Sequence, residues 1–448
     1  MPISPARIAA FEILLRVDRE DAFASELLHS SQYEALSDSD HRLTTELVMG
    51  VLRWRPALDE EIAKRSSLKL SRLDPEVLTA LRLAAYQLMF LDRIPPRAAI
   101  HQSVELVKRA RKRSAVPFVN ALLRKLASSK PPVPVIAESH TASDLARFSA
   151  HPQWLVERWV QGFGIDTARQ ICSYDQRIPE TSLVIRGNTA SEELQNHGLE
   201  LAPGRLLASS RRLVKGDLAK IPAVLRDRIA IQDEGSQLVA LLLGAGSRIL
   251  DCCAAPGGKT RALAERNPAA TVIAAELHPH RARLLRTLVT LPNVGVIVAD
   301  ARTLPIAGGF DRVLVDVPCS GTGTLARNPE IKWRRKLEDL ADLQARQTEI
   351  LHSAMQHVAS AGKLVYSTCS LEKEENDEVV EKVLSAHKSF RLLDCRERLE
   401  ELTTEGELRW NYIDSLTSGP YLRTIPGVHP CDGFFAAILE RTEVNPAF

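Results

Sequence analysis

The sequence predicts a two-part fold, an all-α helical bundle at the N-terminus followed by a C-terminal α/β domain with a mainly parallel sheet. In residues 5–127 the apolar side chains recur at helical spacing. From about residue 231 the pattern changes to continuous apolar strands that alternate with helices, which is typical of a sheet covered on both faces. The proline-rich stretch 128–135 cannot continue a helix, and we interpret it as the linker between the two parts.

Domain boundaries follow from these patterns. We expect a helical bundle over residues 1–140, an adaptor over 141–230 and the α/β domain over 231–448. Within the adaptor the sequence predicts a helix at HPQWLVERWVQGFG and a strand at TSLVIRGN. In the α/β domain the last long helix is predicted at 336–360, and the predicted strands are SRILDCC, ATVIAAE, NVGVIVAD, FDRVLVDV, GKLVYST and GFFAAILE.

The composition limits the class of protein. The 448 residues are 45% hydrophobic and 25% charged, which is typical of a soluble globular protein. Arg7, Glu12 and Arg16 interrupt the first apolar segment, so it lacks the core of a secretory signal, and no apolar run approaches the roughly 18 residues of a membrane span. The seven cysteines include no CxxC pair, which predicts neither a zinc site nor a disulfide framework. We therefore expect a cytoplasmic protein with free thiols and no metal.

Two basic clusters contrast with a net charge of only +2. Residues 108–113 read Lys-Arg-Ala-Arg-Lys-Arg, and Lys332 precedes Trp333, which is followed by Arg-Arg-Lys at 334–336. Such a cluster is either a solvated helix face or a phosphate-binding surface, and the sequence does not decide between the two.

Two cysteines each follow an apolar run, Cys319 in LVDVPCSGTG and Cys369 in KLVYSTCSLEKEEN. Open α/β folds bind ligands beyond the carboxyl ends of their strands, where both cysteines are expected to lie. A single cysteine in this position is often only a small buried hydrophobe. Here the flanking proline, glycine and small polar residues indicate shaped turns, so we predict that both thiols face one substrate.

The first strand of the α/β domain runs into a glycine-bearing turn that opens a helix. Such a turn presents backbone N–H groups and the positive end of the helix to an anionic ligand. A phosphate-binding P-loop would need a glycine where Cys253 stands, and the GxGxxG pattern of dinucleotide sites is absent. The predicted cofactor-binding residues of the turn are Cys253, Ala254, Ala255, Pro256, Gly257, Gly258 and Lys259.

Three acidic residues are expected at the ends of the following strands. Glu276, nineteen residues beyond Gly257, can accept the ribose hydroxyls of a cofactor, and Asp300 can meet an adenine edge. Asp316 lies in the fourth strand, close to Cys319. One such residue is more often a helix cap, but three at successive strand ends fit an adenosine cofactor. We predict S-adenosylmethionine, with its methionine end near the glycine turn and Lys259.

Over residues 231–440 these motifs resemble those of the RNA cytosine-C5 methyltransferases. DCCAAPGGKT is similar to the family's cofactor loop, DVPCSGTG to its fourth motif, STCS to its sixth, and IQDEGSQL to the element before its first strand. RIAAFEILLRV and HRLTTELVMGVLRW are similar to the NusB-like RNA-binding domain of members that modify small-subunit ribosomal RNA. The resemblance implies a Rossmann-like S-adenosylmethionine-dependent methyltransferase domain behind a NusB-like bundle, with 5-methylcytosine in 16S ribosomal RNA as the product.

The chemistry of this reaction needs two assisting groups. A thiolate must add to C6 of cytosine before C5 can attack a methyl group, and a second group must help to remove the C5 proton and expel the thiolate. The residues alone do not choose between the two cysteines. The resemblance implies that Cys369 is the nucleophile, that Cys319 serves product release and that Asp316 contacts the target base. A helix start after Ser370 and nearby basic groups would favour a thiolate at this site, whereas Glu372, Glu374 and Glu375 would oppose it, and the sequence does not decide between these influences.

Other functions stay open. The same chemistry could act on transfer RNA, or the chain could be a non-catalytic RNA-binding assembly factor, although the retained cysteines and glycine turn argue against the second. The expected partner is 16S ribosomal RNA, at a single-stranded or loop cytosine that can leave its stack, and the expected state is a monomer.

For most of the remaining cysteines and for two histidines we expect a structural role. Cys252 is expected to pack in the sheet while Cys253 meets the cofactor, because adjacent strand residues point to opposite faces. Cys172, Cys395 and Cys431 are interpreted as structural, and His278 and His280 as residues at a helix start rather than metal ligands.

Overall fold

The computed structural model describes residues 3–20, 22–33, 35–129, 131–187 and 189–442. Residue 130 of the predicted linker and residues 443–448 of the predicted α/β domain lie outside them. The chain divides into two compact units: unit 1 is Met1–Ile178 with Leu325–Arg334, and unit 2 is Pro179–Thr324 with Arg335–Phe448. Within the described residues no helix combines the length and the apolar character that crossing a membrane requires.

Within its described residues unit 1 consists of helices and their connecting loops and contains no strand. Its helices before residue 178 are α1 (Pro5–Glu20), α2 (Ala24–Leu28), α3 (Asp38–Ala63), α4 (Pro75–Phe90), α5 (Pro96–Arg109), α6 (Val116–Ser129), α7 (Ala142–Phe148), α8 (Gln153–Phe163) and α9 (Ile165–Asp175). At the start of α3 the Ser37 side chain accepts a hydrogen bond from the N–H of Asp40, and α4 and α5 begin at prolines, whose missing N–H is not needed there. The core includes predicted apolar positions such as Leu47, Leu81 and Val107, whereas others are only partly buried against it, namely Ile8, Leu43, Leu88 and Val104.

Two predictions about helices are confirmed, one for the end of a helix and one for the position of another. Helix α6 ends at Ser129, and residues 131–135 contain neither helix nor strand, as the prolines require. Helix α8 covers most of the predicted HPQWLVERWVQGFG segment.

Unit 2 contains a small antiparallel sheet before its main sheet. The order is β2-β3-β1-β4, with β1 (Thr181–Ile185), β2 (Glu200–Pro203), β3 (Ser210–Lys215) and β4 (Ile229–Ile231), and it carries α10 (Ala190–Asn196) and α11 (Ala223–Arg226). Only β1 had been predicted from the sequence.

The main sheet is mixed rather than mainly parallel: its central strands pair in parallel, as predicted, but four of the eight strand pairings among its described residues are antiparallel. Its strands are β5 (Arg248–Asp251), β6 (Thr271–Glu276), β7 (Val294–Val298), β8 (Phe310–Asp316), β9 (Val358–Thr368), β10 (Phe390–Leu393), β11 (Thr417–Ser418), β12 (Tyr421–Arg423) and β13 (Phe435–Arg441). The order is β11-β12-β13-β9-β8-β5-β6-β7, with β10 also paired to β13. Strands β5 to β9 run parallel, and β13 adds antiparallel to β9.

Helices cover both faces of this sheet. They are α12 (Glu234–Leu242), α13 (Gly258–Arg266), α14 (Pro279–Leu288), α16 (Asp339–Gln356), α17 (Asp377–Ala386) and α18 (Cys395–Thr404), while α15 (Ile331–Arg334) belongs to unit 1. Neighbouring strand residues enter different cores: Val313 packs in one cluster and Leu314 in the other. The prediction of helix to residue 360 was wrong, because the buried Val358 pairs with Phe310 and begins β9.

The topology creates a crevice at the carboxyl ends of β5 and β8. After β5 the chain adds β6 and β7 on one side, and then β8 and β9 on the other. Parallel sheets bind ligands at this point of reversal, because the loops leaving the two central strands diverge. Asp251 ends β5 and Asp316 ends β8.

Residues 325–334 supply side chains that complete the helices of unit 1. Pro56 lies within α3 and cannot donate to the carbonyl of Leu52 four residues earlier, and the indole N–H of Trp333 donates to that oxygen at 2.7 Å. The Glu330 carboxylate accepts from the N–H of Ala24 at 2.9 Å, in the first turn of α2. Each of these bonds satisfies a backbone group that its own helix leaves open.

The interpretation of the second basic cluster as a solvated or phosphate-binding face was wrong. Lys332 is only 2% exposed, and its ammonium donates to the carbonyl oxygens of Arg53 and Ala150, each at 3.3 Å. Arg334 donates to the carbonyl of Val17 at 2.9 Å, in the last turn of α1. These cations satisfy backbone carbonyls rather than water or phosphate.

Candidate active site

The glycine turn after β5 has a backbone that only glycine adopts without strain. Gly257 has φ of +114° and caps the N-terminus of α13. A Cβ at this position would lie 2.5 Å from Cδ1 of Leu285 and 2.7 Å from Cγ2 of Val289. The N–H of Ala254 donates to the carbonyl of Ala275 at 2.9 Å and attaches the turn to β6. The first turn of α13 is thereby held at the crevice, as the sequence predicted.

A cavity of about 140 Å³ opens against this turn. Its lining includes Cys253, Ala254, Ala255, Pro256, Gly258, Lys259 and Asp316 from the predicted site, together with Ile231, Gln232, Ser236 and Asp251. Gly257 is the one predicted turn residue that does not line it.

Asp251 was missed by the sequence analysis. Its Oδ2 accepts from the Thr260 hydroxyl at 2.7 Å, while its buried Oδ1 has no hydrogen-bond partner among the described residues. Burial raises the pKa of Asp251 to about 6, although the Thr260 hydroxyl opposes the shift. A buried carboxylate oxygen without a donor is costly, so it marks a position where a ligand N–H or ammonium group is favoured.

Lys259 and Asp316 form an ion pair at the cavity. The ammonium donates to Oδ2 of Asp316 at 2.7 Å, and the Ser367 hydroxyl donates to Oδ1 at 2.7 Å. Burial disfavours the charge of Lys259, but the Asp316 carboxylate outweighs it and the pKa of Lys259 is raised above its ordinary value. The ammonium also lies 5.3 Å from the centre of the Phe434 ring. The pair fixes the orientation of the Asp316 carboxylate, which lies three residues before Cys319 in the chain.

Glu276 and Asp300 lie at strand ends but differ in their surroundings. Glu276 is the last residue of β6, is 5% exposed and accepts from the N–H of His278 at 2.9 Å, where His278 caps α14. Asp300 lies just beyond β7 and is held by Arg302, whose Nη2 donates to Oδ2 at 2.6 Å. This hydrogen bond, together with the guanidinium charge, lowers the pKa of Asp300.

Asp300 and Arg302 line a separate cavity of about 470 Å³ with Thr303, Thr348, Glu349 and His352. The structure therefore joins Asp316 to the glycine turn in one cavity and places Asp300 in another. Glu276 lines neither of these two cavities.

The two predicted thiols are brought into contact. Sγ of Cys319 lies 3.2 Å from Sγ of Cys369, and the N–H of Cys369 points to Sγ of Cys319 at 3.3 Å. Both residues are partly exposed. The pKa of Cys319 is raised well above its ordinary value, first by its hydrogen bond to Cys369 and then by burial. Both causes favour the neutral thiol of Cys319.

The buried carboxylate of Glu375 joins the two cysteine loops, and this contact was not predicted from the sequence. Ser320 and Ser370, the residues directly after the cysteines, both contact the carboxylate of Glu375, which also accepts from Gln347. The one sequence signal was the repeated Cys-Ser pair at 319–320 and 369–370.

The other cysteines lie where the sequence analysis expected packing. Cys252 is 1% exposed in the core, whereas Cys253 is partly exposed and lines the cavity. Cys172, Cys395 and Cys431 are fully buried, and burial raises the pKa of each thiol. Among the described residues no three histidine, cysteine or acidic side chains form a group that could hold a metal ion.

Comparison with known proteins gives matches to both parts of the chain. The family model described as 16S rRNA methyltransferase RsmB/F matches residues 238–440, and that of the NusB family matches residues 4–128. A probable ribosomal RNA small subunit methyltransferase B of Bacillus subtilis (strain 168) is 33% identical over 457 residues, covering 98% of this chain and 100% of the relative. A probable protein of the same name from Synechocystis sp. is 31% identical and covers 97% of this chain and 99% of the relative.

Solved structures share the fold. The crystal structure of PH0851 has a TM-score of 0.81 and 24% identity, covering 98% of this chain and 100% of the other. A methyltransferase homologue from Pyrococcus horikoshii has a TM-score of 0.54 and 24% identity, covering 68% of this chain and 99% of the other.

Proposed function

Because the chain belongs to the RsmB/F family of 16S ribosomal RNA methyltransferases, we propose that it methylates C5 of a cytosine in 16S ribosomal RNA through a covalent cysteine–C6 intermediate. Membership makes the chain an RNA methyltransferase that uses S-adenosylmethionine. The target atom, the covalent route and the RNA are the proposal. The observation that carries it is the 3.2 Å contact between Cys319 and Cys369, two thiols at adjacent strand ends.

The residues of the cavity fit the cofactor. The glycine turn 253–259 offers backbone N–H groups to the carboxylate of its methionine end, and the open Oδ1 of Asp251 accepts from its ammonium group. Glu276 and Asp300, which lie outside this cavity at or just beyond the ends of the next two strands, would hold the ribose hydroxyls and the adenine edge. When bound, S-adenosylmethionine supplies an electrophilic methyl group.

The two cysteines divide the reaction. The Cys369 thiolate forms a bond to C6 of the cytosine, and the electron pair displaced from the C5–C6 double bond makes C5 nucleophilic. Once Cys369 is bonded to C6, the Cys319 thiol releases its own proton to water, and after C5 has gained the methyl group the C5 proton passes to Sγ of Cys319. The C6–Sγ bond then breaks and returns its electron pair to Cys369, which restores the ring.

Covalent bond formation prepares Cys319 for its step. The hydrogen bond and the negative charge of Cys369 are leading causes of the raised pKa of Cys319. Both are removed when Cys369 bonds to C6, so the pKa of Cys319 falls towards its ordinary value and its thiolate becomes accessible as a base. Asp316, oriented by Lys259 and Ser367, contacts the N3/N4 edge of the cytosine and stabilises the protonated ring.

RNA binding is assigned to the N-terminal bundle, residues 1–140, and catalysis to residues 231–448, with 141–230 as an adaptor. Within the first basic cluster Lys108, Arg109, Arg111 and Arg113 are exposed, and the first two also form ion pairs, with Glu105 and Glu12 respectively. Exposed cations of this kind are the groups that contact RNA phosphates. The protein acts as a cytoplasmic monomer on a cytosine of a single-stranded or loop segment, which can leave its stack to reach the cysteines.

The test compares the wild type with Cys319→Ser and Cys369→Ser in the presence of 16S ribosomal RNA and S-adenosylmethionine. Cys319→Ser should accumulate a denaturant-stable protein–RNA adduct, because release is impaired, and Cys369→Ser should form none. The reverse pattern contradicts the two roles. An adduct with transfer RNA alone would favour the transfer RNA substrate, and no adduct with either RNA would favour a non-catalytic assembly factor.

A further inference from the structure

The loops that carry the two cysteines are joined through the serines that follow them. Ser320 and Ser370 are each 1% exposed, and their hydroxyl oxygens lie 3.0 Å apart. The same loops are joined a second time, because the N–H of Gly323 donates to the carbonyl of Cys369 at 2.9 Å. The separation of the two sulfurs therefore depends on a shared scaffold rather than on either loop alone.

Glu375 is the centre of this scaffold. Its fully buried carboxylate accepts through Oε1 from the N–H of Ser320 at 2.7 Å and from the Gln347 amide at 2.8 Å. Through Oε2 it accepts from the Ser370 hydroxyl at 2.5 Å and from the Ser320 hydroxyl. One carboxylate thus holds both cysteine loops, with Gln347 of α16 as an additional support.

If Glu375 only held the two loops together, its side chain would not need a negative charge. The four donors to Glu375 are neutral, and within the described residues no lysine or arginine pairs with it. Burying a carboxylate without a cation is unfavourable, and a neutral amide could satisfy the same positions. The charge has a consequence for the site, because Glu375 is one of the causes that raise the pKa of Cys319.

We propose that Glu375 is a positioning residue of the two-thiol reaction: its carboxylate bonds to both serines and so sets the spacing of the two sulfurs, and its negative charge acts on the Cys319 sulfur. This inference rests on the proposed function, because the two-thiol reaction is part of that proposal. The two properties can be measured without RNA or cofactor, so its failure can be distinguished from failure of the methylation itself.

Three variants separate spacing from charge. In Glu375→Gln the amide oxygen can accept from Ser320 and Gln347 while the amide N–H groups donate to the two hydroxyls, so the spacing is kept and the charge is lost. Glu375→Ala removes both. Glu374→Gln removes a carboxylate from the adjacent position of the same turn and controls for a general change of charge.

Spacing is measured by oxidation with diamide in the full-length protein, followed by peptide mapping. The reagent takes two electrons and two protons from the thiols as the Cys319–Cys369 disulfide forms, and is reduced to the hydrazine. Glu375→Gln and Glu374→Gln should cross-link at least as fast as the wild type, and Glu375→Ala at least tenfold more slowly. Wild-type rates in Glu375→Ala would contradict the spacing function.

Charge is measured from the pH profile of iodoacetamide alkylation at Cys319 in a Cys369→Ser background, which removes the larger influence of Cys369. Glu375→Gln should move the midpoint to lower pH by at least one unit, and Glu374→Gln should leave it in place. An unchanged midpoint in Glu375→Gln would contradict the charge function, because a merely structural residue would not move it.

Discussion

Each unit buries a cluster of ionisable side chains, and the two clusters are built in opposite ways. The lysine cluster of unit 1 comprises His151, Cys172, Asp175 and Lys332, and all four are buried, with His151 and Asp175 3.2 Å apart. The cysteine cluster of unit 2 comprises Cys319, Ser320, Cys369, Ser370 and Glu375. Its polar support is equally buried, but its two sulfurs are partly exposed at strand ends.

The comparison shows what a shifted pKa does and does not indicate. Burial lowers the pKa of Lys332 to about 7, although Asp175 opposes the shift, and the pKa of Cys319 is raised well above its ordinary value. Burial is the leading cause of the Lys332 shift and, after the hydrogen bond to Cys369, the second cause of the Cys319 shift, so a shifted pKa alone does not identify a reactive site. What differs is access: Lys332 faces fixed carbonyl groups, whereas the two cysteines are partly exposed just beyond the ends of β8 and β9.

The largest expected effect tests the cysteine cluster. Cys369→Ala should lower the rate of methyl transfer by at least about 10⁴-fold, because the nucleophile is lost. The free energy of unfolding should change by less than about 1 kcal/mol, because the side chain is partly exposed. Single-turnover methylation and urea unfolding measure the two quantities. A large loss of stability would mean that both clusters are structural.

The next effect tests the lysine cluster. Lys332→Ala should destabilise unit 1 by about 3–5 kcal/mol, because it removes a buried cation from beside Asp175 and from two carbonyl oxygens. Urea unfolding followed by a probe in unit 1 measures the change. Lys336→Ala, at an exposed position of the same basic cluster, is the matched control and should be nearly neutral.

The contribution of Lys332 to the free energy of unfolding should also depend on pH. The folded-state pKa of Lys332 is lowered to about 7, so between about pH 7 and 10 the unfolded chain binds more protons. Stability from this residue therefore rises with pH in that window, by at most about 1.4 kcal/mol per unit, and is independent of pH below it. Unfolding measured from pH 6 to 9 should show this slope in the difference between wild type and Lys332→Met. A flat difference would mean that the folded protein keeps the proton.

The smallest expected effect concerns the carbonyl oxygen of Leu52, which has no donor within α3 because Pro56 lacks an N–H. Trp333→Phe should cost about 1–2 kcal/mol, because the oxygen of Leu52 loses its donor. Adding Pro56→Ala should recover part of this loss, since the new N–H can bond to Leu52 within α3. Thermal unfolding of the two single variants and the double variant measures the coupling. Additive losses would contradict the donor function of Trp333.

The parts that could be predicted from the sequence share a physical reason. Strands buried on both faces read as apolar runs, so β5, β6, β8 and β9 were recognised, and the meeting of Cys319 and Cys369 followed from their strand ends. The helical bundle followed in the same way from its periodic apolar residues.

The parts that were missed depend on partners distant in the sequence. Lys332 was misread because no local pattern shows that its ammonium meets the carbonyl of Arg53 in another helix. The contacts of Glu375 reach residues 28 and 55 positions away, and its local sequence is simply a run of acidic residues. Strands β2 to β4 are short and largely half-buried or exposed, so they lack the apolar runs that identified the main sheet.

The placement of residues 325–334 in unit 1 has a consequence for how the protein is made. While the chain grows on the ribosome, the N-terminal helices emerge long before the segment that satisfies Leu52, Val17 and Ala24 is synthesised. At roughly 5–20 residues per second, the delay after residue 178 is on the order of 10–30 s. During that interval the bundle is incomplete, so its final stability is reached only after much of the catalytic domain has been translated.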